Sequence, residues 1–203
     1  MSFKNHTFKL REEAILNATT AALVEHGFEL MTMDDIASRV GISKPSLYKH
    51  FASREDLVAA TMTRLIQQAI DELDSYPQNM PAIDQLRNLL GWAIDIRLKG
   101  GMPFLPSTRS SIRDMLLRNQ AYVLSIMNMN QRLSTLVTQC QQDGSLNPEL
   151  PVLVILYSYY ARTCDPTVDY LLAYSGLDHA SIRDHMITVS FAGLIPLNRS
   201  QPT

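Results

Sequence analysis

Three residues of types that cap helices follow one another closely between positions 32 and 53. Thr32, Ser43 and Ser53 each precede an apolar stretch, and an acid stands three residues after Thr32 and Ser53. A side-chain hydroxyl at a helix start accepts a hydrogen bond from a backbone N–H that has no partner within the helix. Gly41 favours a helix end between the first two stretches. The spacing predicts two short helices followed directly by a longer one.

Helical periodicity recurs through most of the chain, and no run of alternating polar and apolar residues bounded by turn residues occurs. The clearest apolar stripe runs from Tyr122 to Cys140, with spacings that alternate between four and three residues. Other helices are expected over 9–26, 82–99, 107–118, 148–162 and 179–195, with a loop at 100–106 and a break at 164–166. The 203 residues therefore predict an all-α fold of about nine or ten helices.

The lengths of these helices also predict the domain organisation. Short capped helices fill residues 1–52, which we interpret as a three-helix bundle containing a helix-turn-helix. A long connecting helix is expected over 53–76. Residues 77–203 then form a larger helical domain.

Composition excludes several classes of protein. Apolar residues make up 46% of the chain and charged residues 19%, so the chain can bury a core and is not disordered. The longest stretches without a charged residue, 119–131 and 185–198, are shorter than the roughly 18 apolar residues that a membrane span needs. The polar start has no apolar segment of the kind found in signal peptides, which predicts a cytoplasmic protein.

Signatures of catalysis or of a bound metal do not occur in the sequence. It contains no G-x-G-x-x-G, P-loop, G-x-S-x-G or H-E-x-x-H pattern. His179 and His185 do not share a helix face, and Cys140 and Cys164 lack the spacing of a metal set. We therefore expect no enzymatic activity, no cofactor and no metal.

A basic window stands out from a chain whose net charge is only −2. Residues 39–54 hold Arg39, Lys44, Lys49 and Arg54 without any acid. Four like charges alone are typical of a solvated surface. Here, however, they lie on and around the second helix of the predicted helix-turn-helix, which is the element that enters the major groove of DNA.

The residue types at the start of that helix suit base edges. Lys44 has donors for guanine O6 and N7 or for a phosphate, Ser46 can pair with either kind of base, and Pro45 offers an apolar contact to a thymine methyl group. Side chains further along the helix, and the N-terminus of the preceding helix, can bind phosphates. The predicted DNA-binding residues are Thr32, Ser43, Lys44, Pro45, Ser46, Tyr48, Lys49, His50 and Arg54.

This region resembles the DNA-binding domain of the TetR family of transcriptional regulators. The resemblance is carried by Gly27-Phe28, T-M-D-D-I-A at 32–37, V-G-I-S-K-P-S-L-Y-K-H-F at 40–51 and S-R-E-D-L at 53–57. It covers residues 8–60 at the level of motifs, and the remainder only in length, helix content and the closing Gly193-Leu194. It implies that Tyr48 and His50 contact phosphates, whereas Leu47 and Phe51 are structural.

The resemblance also implies a homodimer, because one recognition helix reads only about half a turn of duplex and a two-fold-symmetric operator needs two. By position, the helices at 148–162 and 179–195 are similar to the pair that forms the bundle between subunits in this family. The alternative is that both helices belong to the core of one subunit. The candidate interface residues are Leu153, Leu156, Tyr157, Ile182, Met186 and Val189.

The larger domain is then expected to bind an unknown small-molecule effector that shifts the connecting helix. Candidate pocket residues are aromatic, sulfur-containing or isolated polar residues among the middle helices: Trp92, Ile96, Arg97, Tyr122, Met127, Asn130, Tyr159 and Tyr160. Arg97 is the best candidate for a polar contact, and the alternative for it is an ion pair with an acid such as Asp95 or Asp114.

The resulting hypothesis is a repressor that binds palindromic double-stranded DNA as a homodimer and is released by its effector. A ligand-responsive activator of the same fold is one alternative. A helical small-molecule-binding protein without DNA binding is another, but the intact basic and small residues of the third helix argue against it.

Overall fold

The computed structural model describes residues 3–101, 111–163, 166–192 and 194, and within them it contains α-helices and no β-strand. The helices are α1 (Phe3–Leu30), α2 (Met33–Val40), α3 (Lys44–Tyr48), α4 (Arg54–Ser75), α5 (Ala82–Leu98), α6 (Ser111–Leu116), α7 (Gln120–Gln142), α8 (Val152–Thr163), α9 (Thr167–Tyr174) and α10 (His179–Ala192). The predicted all-α fold is confirmed. In this part of the chain no helix has the length and apolar character required to cross a bilayer.

The three predicted helix caps are confirmed. Thr32, Ser43 and Ser53 each accept a hydrogen bond from the backbone N–H three residues later, at 3.1, 3.3 and 3.0 Å between the heavy atoms. Gly41 ends α2 with φ 71°, a left-handed conformation that costs glycine little. These local signals fix α2, α3 and the start of α4.

The first helix begins earlier than its apolar stripe predicted. The stripe indicated residues 9–26, whereas α1 begins at Phe3. Gly27, with φ 71° and ψ 176°, interrupts it where the sequence placed its end. The first turns of α1 carry no continuous stripe because residues 5–11 are exposed, and buried positions begin only at Ile15.

The connecting helix α4 is shared between the two halves of the molecule. It packs against α1 in the N-terminal bundle and against α5 and α7 in the larger domain. Leu57, Ile66 and Ile70 are among its almost completely buried side chains. A displacement of α4 would therefore change the packing in both halves.

In the larger domain α5 occupies a central place, in contact with α7, α8, α9 and α10. The prediction that a helix begins at 148 is wrong, because α8 begins at Val152. Asn147 accepts a hydrogen bond from the N–H of Glu149 at 2.9 Å, so it closes a local turn instead of capping the helix. Pro151 directly precedes the first helical residue.

Some predicted features lie outside the described residues. They are Cys164, most of the 100–106 loop, the first residues of the short helix expected at 107–118, and Gly193. The predicted break at 164–166 is consistent with α8 ending at Thr163 and α9 beginning at Thr167.

Candidate nucleic-acid interface

The helix-turn-helix is formed by α2 and α3 across the turn at Gly41. The turn is closed by backbone hydrogen bonds from Gly41 N to Ser38 O at 3.1 Å and from Ile42 N to Ala37 O at 3.0 Å. Leu47 is completely buried and Phe51 nearly so, which anchors the five-residue α3 on the bundle. The opposite face of α3 is left for contact with a partner molecule.

That opposite face carries the predicted base and phosphate ligands. Lys44, Pro45, Tyr48 and Lys49 are all exposed, and the Tyr48 side chain has 44% of its surface accessible. Their spacing places them on one side of a helix. Ser46, which donates its backbone N–H to the Ser43 cap, is half-buried. The structure therefore brings most of the predicted residues of α3 to one surface.

Lys44 is joined to a residue that the sequence analysis did not select. Its Nζ lies 2.7 Å from Oδ2 of Asp34, in the first turn of α2. The hydrogen bond and charge of Asp34 raise the pKa of Lys44. The contact links the starts of the two helices. No sequence spacing predicts it, because it depends on how α2 and α3 pack.

Arg39, the first cation of the basic window, is occupied within the bundle. Its Nη2 lies 2.8 Å from Oε2 of Glu25 on α1, and its Nε lies 3.2 Å from Oδ1 of Asp35. Hydrogen bonding with these two carboxylates raises the pKa of Arg39, and the bond from Arg39 lowers the pKa of Glu25. Arg39 thus fastens α2 to α1.

Arg54 makes contacts within the N-terminal bundle. Its guanidinium lies 4.2 Å above the centre of the Phe28 ring and donates hydrogen bonds to the carbonyl oxygens of Phe28 and Met31, at 3.4 and 3.3 Å. A planar guanidinium suits this combination of ring stacking and hydrogen bonding. Arg54 therefore closes the connection between α1 and α2, and its contact with a phosphate stays a prediction.

His50 stacks on Phe8 of α1, with ring centroids 4.1 Å apart. Burial lowers the pKa of His50, with a smaller opposing effect of Glu12 and a further lowering by Arg11. Its Nδ1 is buried and has no hydrogen-bond partner among the described residues. Phe8 precedes the predicted start of α1, so its contact with His50 was not predicted. His50 is half-buried against the bundle and is less exposed than Tyr48.

Several of the eight predicted effector-binding residues are buried in the core. Tyr159 is buried and donates its hydroxyl proton to the carbonyl oxygen of Leu86 at 2.9 Å. The Tyr160 hydroxyl lies 2.6 Å from Oδ1 of Asn130. Tyr122 is buried, whereas the Met127 side chain is exposed, and the prediction that Met127 lines an interior pocket is wrong. The tyrosines are core residues whose polar ends are largely satisfied.

Arg97 forms an ion pair, but with neither of the acids considered from the sequence. Its Nη2 lies 2.6 Å from Oδ2 of Asp169 at the start of α9, and Asp95 pairs with Arg183 of α10 instead. The pair ties α5 to α9. Trp92 and Ile96 on the same helix are half-buried.

Cavities between the helices of the larger domain lie in two places among the described residues that bear on the effector. One of about 460 Å³ opens between α4, α5 and α7 and is lined mainly by polar side chains, Arg132 and Asp74 among them. The other, of about 210 Å³, lies between α5, α8 and α10 and includes Tyr159. Of the eight predicted pocket residues, Tyr159 lines the second cavity and none lines the first.

The predicted interface residues divide into two groups. Leu156, Ile182 and Met186 pack in the core of the subunit, so the prediction that a partner covers them is corrected. Leu153, Tyr157 and Val189 are exposed by 60%, 64% and 65%. One face of α8 packs on the core and the other face is exposed. The sequence could not distinguish the two faces, because α8 is apolar all round.

Comparison with known proteins agrees with the geometry of the N-terminal bundle. The family profile described as "Bacterial regulatory proteins, tetR family" matches residues 15–61. Over 60 residues the chain is 37% identical to the HTH-type transcriptional activator FasR of Mycolicibacterium smegmatis, and over 75 residues it is 35% identical to the transcriptional regulator EthR of the same organism. These matches cover 30% and 37% of this chain, and the chain spans 27% and 35% of the length of the two relatives.

Solved structures extend the likeness of fold to almost the whole chain. The fatty acid degradation regulator FadR from Bacillus halodurans superposes with a TM-score of 0.70 at 14% identity, covering 91% of this chain and 96% of that one. FadR from Bacillus subtilis in complex with stearoyl-CoA gives 0.65 at 14% identity, covering 90% and 98%. The profile matched to residues 15–61 therefore shows that the capped helix-turn-helix region of this chain is similar to the tetR family of bacterial regulatory proteins.

Proposed function

We propose that this protein is a transcriptional repressor that binds a two-fold-symmetric operator as a homodimer and leaves it when a small molecule binds. The observation that carries the proposal is the exposed face of α3, where Lys44, Pro45, Tyr48 and Lys49 stand side by side. The buried Leu47 and the capped start of α2 hold this face rigidly. A rigid, exposed short helix with small and basic residues at its start is suited to the major groove.

Phosphate contacts would flank that helix. The N-terminus of α2 directs free backbone N–H groups outward beside the exposed Thr32. Tyr48 has a hydroxyl that can donate to a phosphate, and Lys49 adds a charge. Such contacts position the protein on the duplex, while Lys44 and Ser46 read the base edges. A regulator of this kind works in the cytoplasm, where it meets the chromosome.

Dimerisation is supported by an apolar surface on α8 and α10. Leu153, Val154 and Tyr157 on α8 and Val189 on α10 are each more than half exposed in the subunit. Burying such side chains against a second copy would remove their apolar surface from water. The same association would supply the second recognition helix that a two-fold operator requires.

An effector site in the larger domain is supported by the fold and by α4. The fold is shared with a regulator solved in complex with stearoyl-CoA. In this chain α4 joins the DNA-binding bundle to the larger domain, and a cavity of about 460 Å³ opens beside its last turn. A ligand that favours one position of α4 would change the separation of the two recognition helices in a dimer.

The direction of regulation is the second question, because FasR is named as an activator. A dimer that covers an operator represses most simply by excluding polymerase. A reporter gene placed behind the selected operator decides between the two. We expect lower expression when the protein is present, and higher expression would establish the activator instead.

DNA binding is tested by selecting DNA fragments with the purified protein at two salt concentrations. The variant carries Tyr48→Ala and Lys49→Ala, and the matched control carries Tyr174→Ala and Lys99→Ala, an exposed tyrosine and lysine in the larger domain. We expect the wild type and the control to recover one symmetric motif with an affinity that falls with salt, and the variant to lose it. Failure of the wild type to enrich any motif at low salt, before and after refolding from denaturant, would refute the proposal.

The dimer surface is tested separately by sedimentation. Tyr157→Glu places a charge on the exposed face of α8, whereas Tyr48→Glu places the same charge on the recognition helix. We expect the first variant to sediment as a monomer and the second as a dimer. Equal behaviour of the two variants would show that this face of α8 is not the interface.

A further inference from the structure

The ion pair between Lys44 and Asp34 lies on the surface that we propose faces DNA. Nζ of Lys44 and Oδ2 of Asp34 are 2.7 Å apart, and the two side chains are 48% and 67% exposed. Lys44 is the first residue of α3, and Asp34 lies in the first turn of α2. The two groups are therefore neither buried nor required for the core, but they fix the direction of the Lys44 ammonium.

Asp34 also changes which groups can approach Lys44, because its carboxylate lies 2.7 Å from the ammonium. A phosphate that approached Lys44 would meet the carboxylate of Asp34 at the same time, and like charges repel. The exposed carboxylate thus makes a phosphate a poor partner for Lys44.

A guanine edge does not suffer this repulsion. Guanine offers two neutral acceptors, O6 and N7, in the major groove. The ammonium of lysine has three donors, so Lys44 can keep its bond to Asp34 and still donate to both guanine atoms. Lys49, by contrast, has no ion pair among the described residues and can serve a phosphate. The structure thus distinguishes the two lysines of the recognition helix.

We propose that Asp34 is a specificity-determining residue, which directs Lys44 away from the phosphate backbone and toward a guanine in each half of the operator. The inference rests on the proposed DNA binding. It selects guanine over phosphate as the partner of Lys44, a choice that the residue type alone left open. Asp34 itself acts through Lys44 and needs no contact with a base.

The test compares the wild-type protein with Asp34→Asn, Lys44→Met and Asp35→Asn. Asp35→Asn is the matched control, because it removes the same charge from the same turn but its side chain pairs with Arg39 and not with Lys44. Each protein is used to select DNA fragments, and its affinities for the selected duplex and for an unrelated duplex of equal length are measured at several salt concentrations.

We expect the wild type and Asp35→Asn to select a guanine at one position of each half-site. Lys44→Met loses that preference, by about 5-fold or more against the other bases. Asp34→Asn binds the unrelated duplex about 10-fold more tightly, its salt slope steepens by about one per subunit, and its preference for guanine weakens, because Lys44 now accepts phosphates.

Two results would overturn the inference while leaving DNA binding intact. One is a symmetric motif whose bases are unchanged in Lys44→Met. The other is that the affinity for the selected duplex, divided by the affinity for the unrelated duplex, is the same for Asp34→Asn as for Asp35→Asn. If the wild type selects no motif at all, the proposed function itself fails, and this inference fails with it.

Discussion

Arg64 joins α4 to the N-terminal bundle by hydrogen bonds, and its removal gives the sharpest test of how the two are joined. Its guanidinium, only 14% exposed as a side chain, donates to Glu13 at 3.0 Å, to Asn17 at 2.9 Å and to Thr20 at 3.2 Å. All three acceptors lie on α1. One side chain on α4 therefore holds two turns of another helix.

The expected cost of Arg64→Met follows from these contacts. Methionine keeps an apolar stem of similar length, so the loss is mainly that of three hydrogen bonds. A net hydrogen bond contributes about 1 kcal/mol, and the bond to Glu13 counts for less because that carboxylate is 61% exposed. We expect the free energy of unfolding to fall by about 2–3 kcal/mol. For a chain of this size the midpoint of thermal unfolding would fall by about 4–12 °C.

Urea unfolding, followed by circular dichroism at one protein concentration, measures this loss, since the apparent stability of a dimer depends on its concentration. The matched control is Arg183→Met, because Arg183 pairs with Asp95 and Asp184 but is 39% exposed. Its expected cost is less than about 1 kcal/mol. Equal losses in the two variants would refute the argument that partial burial and three acceptors set Arg64 apart.

Three further variants test the bundle. Gly41→Ala should lower the free energy of unfolding by about 1 kcal/mol through backbone strain alone, since Gly41 has φ 71° and an added Cβ meets no atom within 4 Å; thermal melting measures this. Ser53→Ala removes the cap of α4 and should cost about 1 kcal/mol in urea unfolding. Burial depresses the pKa of His50 below 6.5, so the unfolded chain takes up the proton first and the stability from neutral His50 is lost as pH falls below that value. His50→Phe should therefore lose less stability than the wild type between pH 7 and pH 5, and parallel curves would contradict this.

The N-terminal half could be predicted from the sequence because its signals are local. A cap at Thr32 or Ser53 acts on an N–H three residues away, and a left-handed glycine at Gly41 acts on its own turn. These interactions need no knowledge of the rest of the fold. The start of α8 shows the limit, since Asn147 carries a cap-like signal that the structure uses in a turn before the helix begins at Val152.

Partners in the larger domain could not be predicted because they depend on helix packing. The sequence favoured Arg97 for a polar contact with the effector, with an ion pair as the alternative. The acid that pairs with Arg97, Asp169, comes from α9 and was not among the acids considered. The helix periodicity of α10 likewise marked Ile182, Met186 and Val189 as one set. Ile182 and Met186 are buried in the subunit, whereas Val189 is exposed. Which residues of a helix are buried depends on the neighbouring helices as well as on the periodicity of its own sequence.

The basic window shows why a count of charges overstates contact with DNA. Four cations in each subunit would suggest up to eight neutralised phosphates in a dimer, and a slope of about −7 in log affinity against log salt. Three of the four are paired with carboxylates of the same subunit: Arg39 with Glu25, Arg54 with Glu55 at 3.7 Å, and Lys44 with Asp34. Lys49 alone remains unpaired among these four in the described part of the chain. The side chains of the window should therefore contribute a slope nearer −2 than −7, because intramolecular ion pairs release no counterions when DNA binds.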